Sequence, residues 1–199
     1  MGLLGSSVTL AIGRAFPRVE VVGFSHRAAT REKARQMQVA NVIEETLQAS
    51  VDQADLVILA TPIRTFEAYF EQMQPCLKDG CMVTDVGSTK ELPHRWAGRI
   101  FGKRIFYAGS HPIAGSEKRG VEYARDDLLF GARCIVTKMG GTNAGTVKTL
   151  ERFWTKLGCR VQVMSPQKHD RIFGHISHLP HLTAAALVNA NLTETLKFA

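Results

Sequence analysis

Three segments of this chain gather side chains able to move protons or hold anions. The first is Asp85-Val86-Gly87-Ser88-Thr89-Lys90, and the second is Ser110-His111-Pro112-Ile113-Ala114-Gly115-Ser116-Glu117. The third joins His169-Asp170 to Ser177-His178-Leu179-Pro180-His181. Histidine changes charge near neutral pH, so these segments are candidates for acid–base work. Plainer readings stand beside that one. His111 before a proline fits a turn, Ser88 a helix cap and Lys90 a solvated first-turn residue. His178 and His181 are three apart and share a helix face unless Pro180 disrupts it. As a metal pair they lack a third ligand and a carboxylate at fitting spacing. His94 and His175 fit no motif and read as structural or exposed, and Trp96 and Trp154 read as core.

A further feature could hold a phosphate. Gly2-Leu3-Leu4-Gly5-Ser6-Ser7, followed by an apolar helix, matches the second half of a dinucleotide fingerprint. There, glycines let the backbone approach a pyrophosphate seated on a helix N-terminus. The first glycine of the full motif and the strand that feeds it are absent. The next strand ends Gly23-Phe24-Ser25-His26-Arg27, where NAD enzymes usually place an acid for the ribose hydroxyl. Ser25 holds that place, with Arg27 and Arg31 after it. A hydroxyl and arginines accept a 2′-phosphate that a carboxylate would repel. The expected cofactor is therefore NADP, with NAD the alternative.

These residues need elements to position them. Short β-branched runs alternate with helical stretches, the pattern of a doubly wound Rossmann-type parallel sheet. Strands are expected at 19–24, 56–60, 81–85, 105–108, 134–137 and 160–164. Helices are expected at 30–38, capped by Thr30, and at 66–74, 90–99 and 144–157. Residues 109–131 read as a polar, glycine-containing connection. Open α/β sheets bind ligands outside the carboxyl ends of their strands. Thr61 and Pro62, which end the 56–60 strand, therefore join Gly2, Leu3, Leu4, Gly5, Ser25, Arg27 and Lys90 as candidate cofactor contacts. Ser165-Pro166 reads as a helix start. From there to Leu196 the chain is nearly all helix former, with a kink or break expected at Pro180. The division is a dinucleotide-binding domain at 1–164 and the opening helices of an all-helical domain at 165–199.

The 199 residues, 45% hydrophobic and 22% charged, suit a globular chain. No apolar run reaches the roughly 18 residues of a membrane span, and no basic n-region marks a signal peptide. The cysteines (Cys76, Cys81, Cys134, Cys159) have no CxxC spacing and read as reduced thiols of a cytoplasmic protein. The net charge of +7 is scattered, which suits a solvated surface or attraction of anionic small molecules over nucleic acid.

Taken in order, GLxGxS, D-V-x-S-x-K, H-P-x-A-G-S-E and H-D…S-H-L-P-H resemble the prephenate/arogenate dehydrogenase family, over residues 2–199. The resemblance implies an oxidoreductase of tyrosine biosynthesis. Hydride leaves C4 of a cyclohexadienol for the nicotinamide, the C4 hydroxyl loses its proton, and carbon dioxide departs as the ring aromatises. By the same resemblance, His111 is the catalytic histidine and Ser88 the serine that hydrogen-bonds and orients it. Lys90 and Glu117 line the nicotinamide and substrate pocket, joined by Ser116. His169, His178 and His181 lie on the substrate side, and His181 favours prephenate over arogenate. The family also implies a homodimer in the full-length enzyme, with no nucleic-acid or membrane partner. Against that pattern the chain looks cut at both ends: the first strand is missing, and the helical domain stops before the arginine that binds a substrate carboxylate. Two rival readings remain: another β-hydroxyacid-type or imine reductase on this fold, and a cofactor-binding module without turnover.

Overall fold

The computed structural model describes residues 1–195, with side chains described to residue 190, so the last residues of the helical stretch, 196–199, lie outside the described residues. Helix α1 (Leu3–Ala15) comes first, then β1 (Val22–Phe24), α2 (Ala28–Gln36), β2 (Val42–Glu44) and α3 (Leu47–Val51). Next come β3 (Leu56–Leu59), α4 (Phe66–Met73), β4 (Met82–Asp85), α5 (Glu91–Ile100), β5 (Phe106–Tyr107) and β6 (Gly109–Ile113). Then follow β7 (Arg133–Thr137), α6 (Ala144–Lys156), β8 (Arg160–Met164), α7 (Pro166–Phe173) and α8 (Leu179–Thr195).

The pairings form a Rossmann-type sheet in three ladders. β1 pairs with β2, and β3 with β4 and then β5, all parallel. β6 pairs antiparallel with β7, which pairs parallel with β8. Only Ala108 separates β5 from β6, so one run of chain joins the ladder of β4 to that of β7. The expected polar connection after residue 108 thus begins as a strand, and the sheet is not parallel throughout. Gly, Ser, His and Pro are poor strand formers. β6 forms because its other bonds are tertiary: Ser110 Oγ lies 2.8 Å from Thr84 Oγ1 and accepts from Trp154 Nε1 at 2.8 Å.

No ladder joins β1 to β3 among the described residues. The Met1 amino group donates to Phe24 O at 2.9 Å at the β1 edge.

Alternation along β3 sorts its side chains by face. Leu56 and Ile58 pack with Val8, Ala11 and Ile12 of α1 and Leu150 and Trp154 of α6. Val57 and Leu59 pack with Phe66, Phe70 and Met73 of α4 and Ala97 of α5. Helices therefore cover both faces of the sheet. Each such fully buried apolar side chain stabilises by about 1.5–3 kcal/mol.

Three local expectations change. α2 starts at Ala28 without a side-chain cap, so Thr30 lies inside it. β2 and α3 were not legible, each being a handful of residues long; Thr46 caps α3 by accepting from Ala49 N at 3.2 Å. At Pro180 the rod neither breaks nor stops. A π turn, Gly174–His178, precedes α8, and the proline falls in the first turn of that helix. Ser165 caps α7 by accepting from Lys168 N, with Pro166 at its first position. Among the described residues, no helix is long and apolar enough to cross a membrane.

Candidate active site

The N-terminal loop has the geometry of a phosphate seat. Gly2 is extended and precedes α1 with no side-chain cap, so the first amide N–H groups of the helix are open to an anion. Gly5 packs so close to the end of β3 that an added Cβ would meet Ala60 Cβ at 3.0 Å. That is the close helix–strand approach for which the fingerprint keeps a glycine. Thr65 Oγ1 donates to Pro62 O at 2.7 Å and lies 3.0 Å from Thr61 Oγ1, which fixes the turn after β3.

Beyond the end of β1, Ser25 is buried, and its Oγ accepts weakly from Arg27 N at 3.4 Å. Arg31 donates to Ser25 O at 2.7 Å and to Glu45 at 2.6 Å, while Glu45 also holds Arg35. Those two arginines hold the Glu45 carboxyl below its usual range. A crevice of about 390 Å³ opens here, lined by Phe24, His26, Leu47, Thr65 and Tyr69.

At the end of β4 the chemistry is buried. Asp85 and Lys90 are both fully buried and paired. Asp85 also accepts from Gly87 N at 2.7 Å and from Tyr107 Oη at 2.7 Å. Lys90 donates to Ser110 O at 2.7 Å. Gly109 makes room for it, since a Cβ there would meet Lys90 Cδ at 2.9 Å. Burial pushes the Lys90 pKa down and Asp85 opposes it; burial beside Asp85 pushes the Tyr107 phenol up. The expected Lys90 contact with the cofactor is corrected: its ammonium is enclosed and already partnered, so it acts on the site from beneath β6.

His111, on β6, places Nδ1 2.8 Å from Nε2 of His169 on α7. His169 is fully buried, and its Nδ1 lies 2.7 Å from Asp170 Oδ1. Asp170 in turn accepts from the N–H groups of Lys90 at 2.8 Å and Glu91 at 2.9 Å, capping α5 from another helix. Phe173 closes the group, its ring 5.1 Å from His111 and 4.6 Å from His169. Burial lowers the His111 pKa from 6.5 to about 3, helped by His169, Lys90 and His178 and opposed by Asp170. Burial would raise Asp170, but the hydrogen bonds from His169, Glu91 and Lys90 outweigh it and leave that carboxyl lowered.

The expected Ser88–His111 hydrogen bond is therefore corrected. Ser88 is exposed in the turn before α5, and the His111 Nδ1 position belongs to His169. His169 lies beneath the base, enclosed rather than facing substrate space. His178 is half-buried and near enough for its charge to act on His111. His181 is exposed, its Nδ1 3.0 Å from Ser177 O. Ser116 and Glu117 bond each other on an exposed loop. His94 is structural, its Nε2 3.0 Å from Thr137 Oγ1. Among the described residues, no group of side chains could hold a metal ion. Sequence reasoning missed Tyr107 and Phe173 as parts of the site. It quoted Asp85 and Asp170 only as members of motifs, although an acid in the first turns of a helix opened by Ser-Pro was a usable signal.

The base and the phosphate seat share one edge of the sheet. Gly5 touches Ala60, whose neighbour Leu59 pairs with Asp85. Asp85 holds Lys90, and Lys90 holds the carbonyl of Ser110, next to His111.

Comparison with known proteins bears on the family of the chain. Residues 8–163 match the family "Prephenate dehydrogenase, nucleotide-binding domain", and residues 165–198 match "Prephenate dehydrogenase, dimerization domain". The prephenate dehydrogenase of Bacillus subtilis is 31% identical over 95% of this chain and 51% of its own length. The cyclohexadienyl dehydrogenase of Zymomonas mobilis is 30% identical over 94% of this chain and 64% of its own. The chain thus spans about half to two thirds of the curated relatives it matches. The crystal structure of Aquifex aeolicus prephenate dehydrogenase superposes with a TM-score of 0.91 at 34% identity, covering 97% of this chain and 69% of that one. A structure of prephenate dehydrogenase from A. aeolicus in complex with hydroxyphenyl propionate and NAD+ gives 0.88 at 33% identity, covering 95% and 66%.

Proposed function

The chain belongs to the prephenate dehydrogenase family, and on that premise we propose that it carries the cofactor site and base of an enzyme that oxidatively decarboxylates prephenate with NADP. The observation that carries this reading is the hydrogen bonding of His111. Its Nδ1 is engaged by His169, which leaves Nε2 free at the ligand edge of the sheet.

The residues present fit a dinucleotide. The open N-terminus of α1 and the close approach at Gly5 suit a pyrophosphate, with Leu3 and Leu4 in the first turn. Thr61 and Pro62 border it, and Ser25, Arg27 and Arg31 suit a ribose phosphate. Bound there, the nicotinamide supplies a hydride acceptor. His111 Nε2 takes the proton of the C4 hydroxyl as hydride leaves C4. The bond to the ring carboxylate then breaks, its electrons complete the aromatic ring, and carbon dioxide leaves. His178 lies where a substrate carboxylate would offset its charge. Ser88, Ser116, Glu117 and His181 remain candidates for the open side of the pocket.

Prephenate is favoured over arogenate through His181. A boundary between residues 164 and 165 and a homodimer through the second segment complete the proposal, in a cytoplasmic enzyme. Exposed Ile176, Leu179 and Leu182 there suit a partner surface. The test is direct: incubate the protein with prephenate and either NADP or NAD, and follow reduced nicotinamide. Reduction with prephenate and NADP supports the reading; reduction only with arogenate, or none, rejects it.

A further inference from the structure

We propose that His169 and Asp170 are a positioning pair that dictates which nitrogen of His111 carries the hydrogen, so that the base atom is always Nε2; this rests on reading His111 as the base. An ionised carboxylate only accepts hydrogen bonds. Asp170 accepts two backbone N–H groups at the start of α5, so the third group facing it, His169 Nδ1, must bring a hydrogen. In neutral His169 that leaves a lone pair on Nε2. Nδ1 of His111 lies 2.8 Å from that lone pair and must therefore donate. The opposite tautomers would set two lone pairs or two hydrogens against each other. His169 is fully buried, so water cannot substitute for the missing partner. With His169 neutral, only one pattern satisfies all three side chains, and it ends with an unprotonated Nε2 on His111.

When Nε2 takes a proton, the Nδ1–H of the resulting imidazolium still points at the His169 lone pair. The positive charge then sits one ring away from the Asp170 carboxylate. The pair comes from α7 and the base from β6, so the segment after β8 equips a residue of the sheet.

Asp170→Ala tests the positioning. Asp170 Oδ1 accepts from both Lys90 N and His169 Nδ1, so removing the carboxylate frees His169 Nδ1 from having to carry the hydrogen, and with it the His111 tautomer. His169→Gln offers the opposite control, since its oxygen can accept from His111 while its NH2 donates to Asp170. The readout is 15N NMR of the imidazole nitrogens in the ligand-free chain, together with prephenate turnover. The expected spectrum shows His111 protonated on Nδ1, and no longer confined to Nδ1 in Asp170→Ala, with kcat down about 100-fold or more. Cofactor affinity should hold. His169→Leu should lose turnover to a similar extent, and His169→Gln should recover most of it. A His111 tautomer still confined to Nδ1 in Asp170→Ala, or equal turnover for the Leu and Gln variants, overturns the proposal. The spectrum needs no substrate, so it decides the pairing even if the enzyme proves to act on something else. Loss of His111 with turnover intact would refute the base, not the pair.

Discussion

The two ends of the ligand edge are built on opposite principles. Around His111, charges are enclosed: buried Asp85 has three partners, buried Lys90 two, and half-buried Asp170 three. Around Ser25, charges lie nearer the surface. The side chain of Glu45 is 60% exposed and that of Arg35 40%, an ion pair that water can replace, while Arg31 is 13% exposed. A buried pair is costly to break because the remaining charge has no solvent. An exposed pair exchanges partners readily, as a site that must release one anion and accept another requires. On the proposed reading, rigidity thus sits where a proton would be moved, and adaptability where a phosphate would be exchanged.

The sharpest way to break that comparison is at the base. His111→Asn should lower kcat by about 10²–10⁴ while barely changing cofactor affinity. Near-normal turnover would remove His111 from the mechanism. Lys90→Met comes next, because it leaves Asp85 buried beside Tyr107 without its cation. Chemical denaturation should show a loss of about 3–5 kcal/mol. A loss comparable with that of a surface pair would mean the two regions do not differ in kind.

Acid titration sharpens the contrast further. Burial lowers His111 from 6.5 to about 3 and His94 to about 4, so both are neutral in the folded chain. The unfolded chain binds their protons from about pH 6.5 downward. Their stabilising contribution is therefore complete above that pH and lost as pH falls toward 4. At about 1.4 kcal/mol per unit, this is on the order of 3 kcal/mol for each near pH 4. Denaturant midpoints measured between those pH values should fall accordingly, and a flat profile would contradict the burial. For the same reason kcat/KM should hold its plateau below the usual histidine range. The smallest effect belongs to the exposed end. Ser25→Asp should turn a preference for NADP into one for NAD, by about tenfold or roughly 1.4 kcal/mol in relative affinity. Equal affinities in the unsubstituted protein would remove the argument from Ser25.

The sheet was legible where strands are continuously apolar, as at Leu56–Leu59, or alternate apolar with polar residues, as at Arg160–Met164. It was not legible at Gly109–Ile113, where strand formation depends on Thr84 and Trp154, far away in sequence. The motifs named His111, His169 and His178 together, and the structure brings them near one another. Their internal order was hidden, because His111 and His169 meet across 58 positions of chain. Ser88 drew attention as the polar residue of a motif, yet the residue bonded to His111 comes from α7, three elements past β7. The Lys90 reading failed for a related reason: spacing places a lysine at a helix start but cannot show that a glycine on β6 makes room for its stem.

The π turn between α7 and α8 changes how the rod counts. His178 follows His169 by nine residues. In an unbroken α-helix, nine steps of about 100° would end on the opposite side, about 180° away. The π turn spends one residue without advancing the helical phase, so the two histidines are offset by only about 80°. That smaller offset suits a His178 whose charge reaches His111. The turn therefore behaves as an absorbed insertion. Deleting Ile176, which is 65% exposed, should restore a plain helix and keep His178 facing the base. A change that straightened the turn at constant length would swing it away.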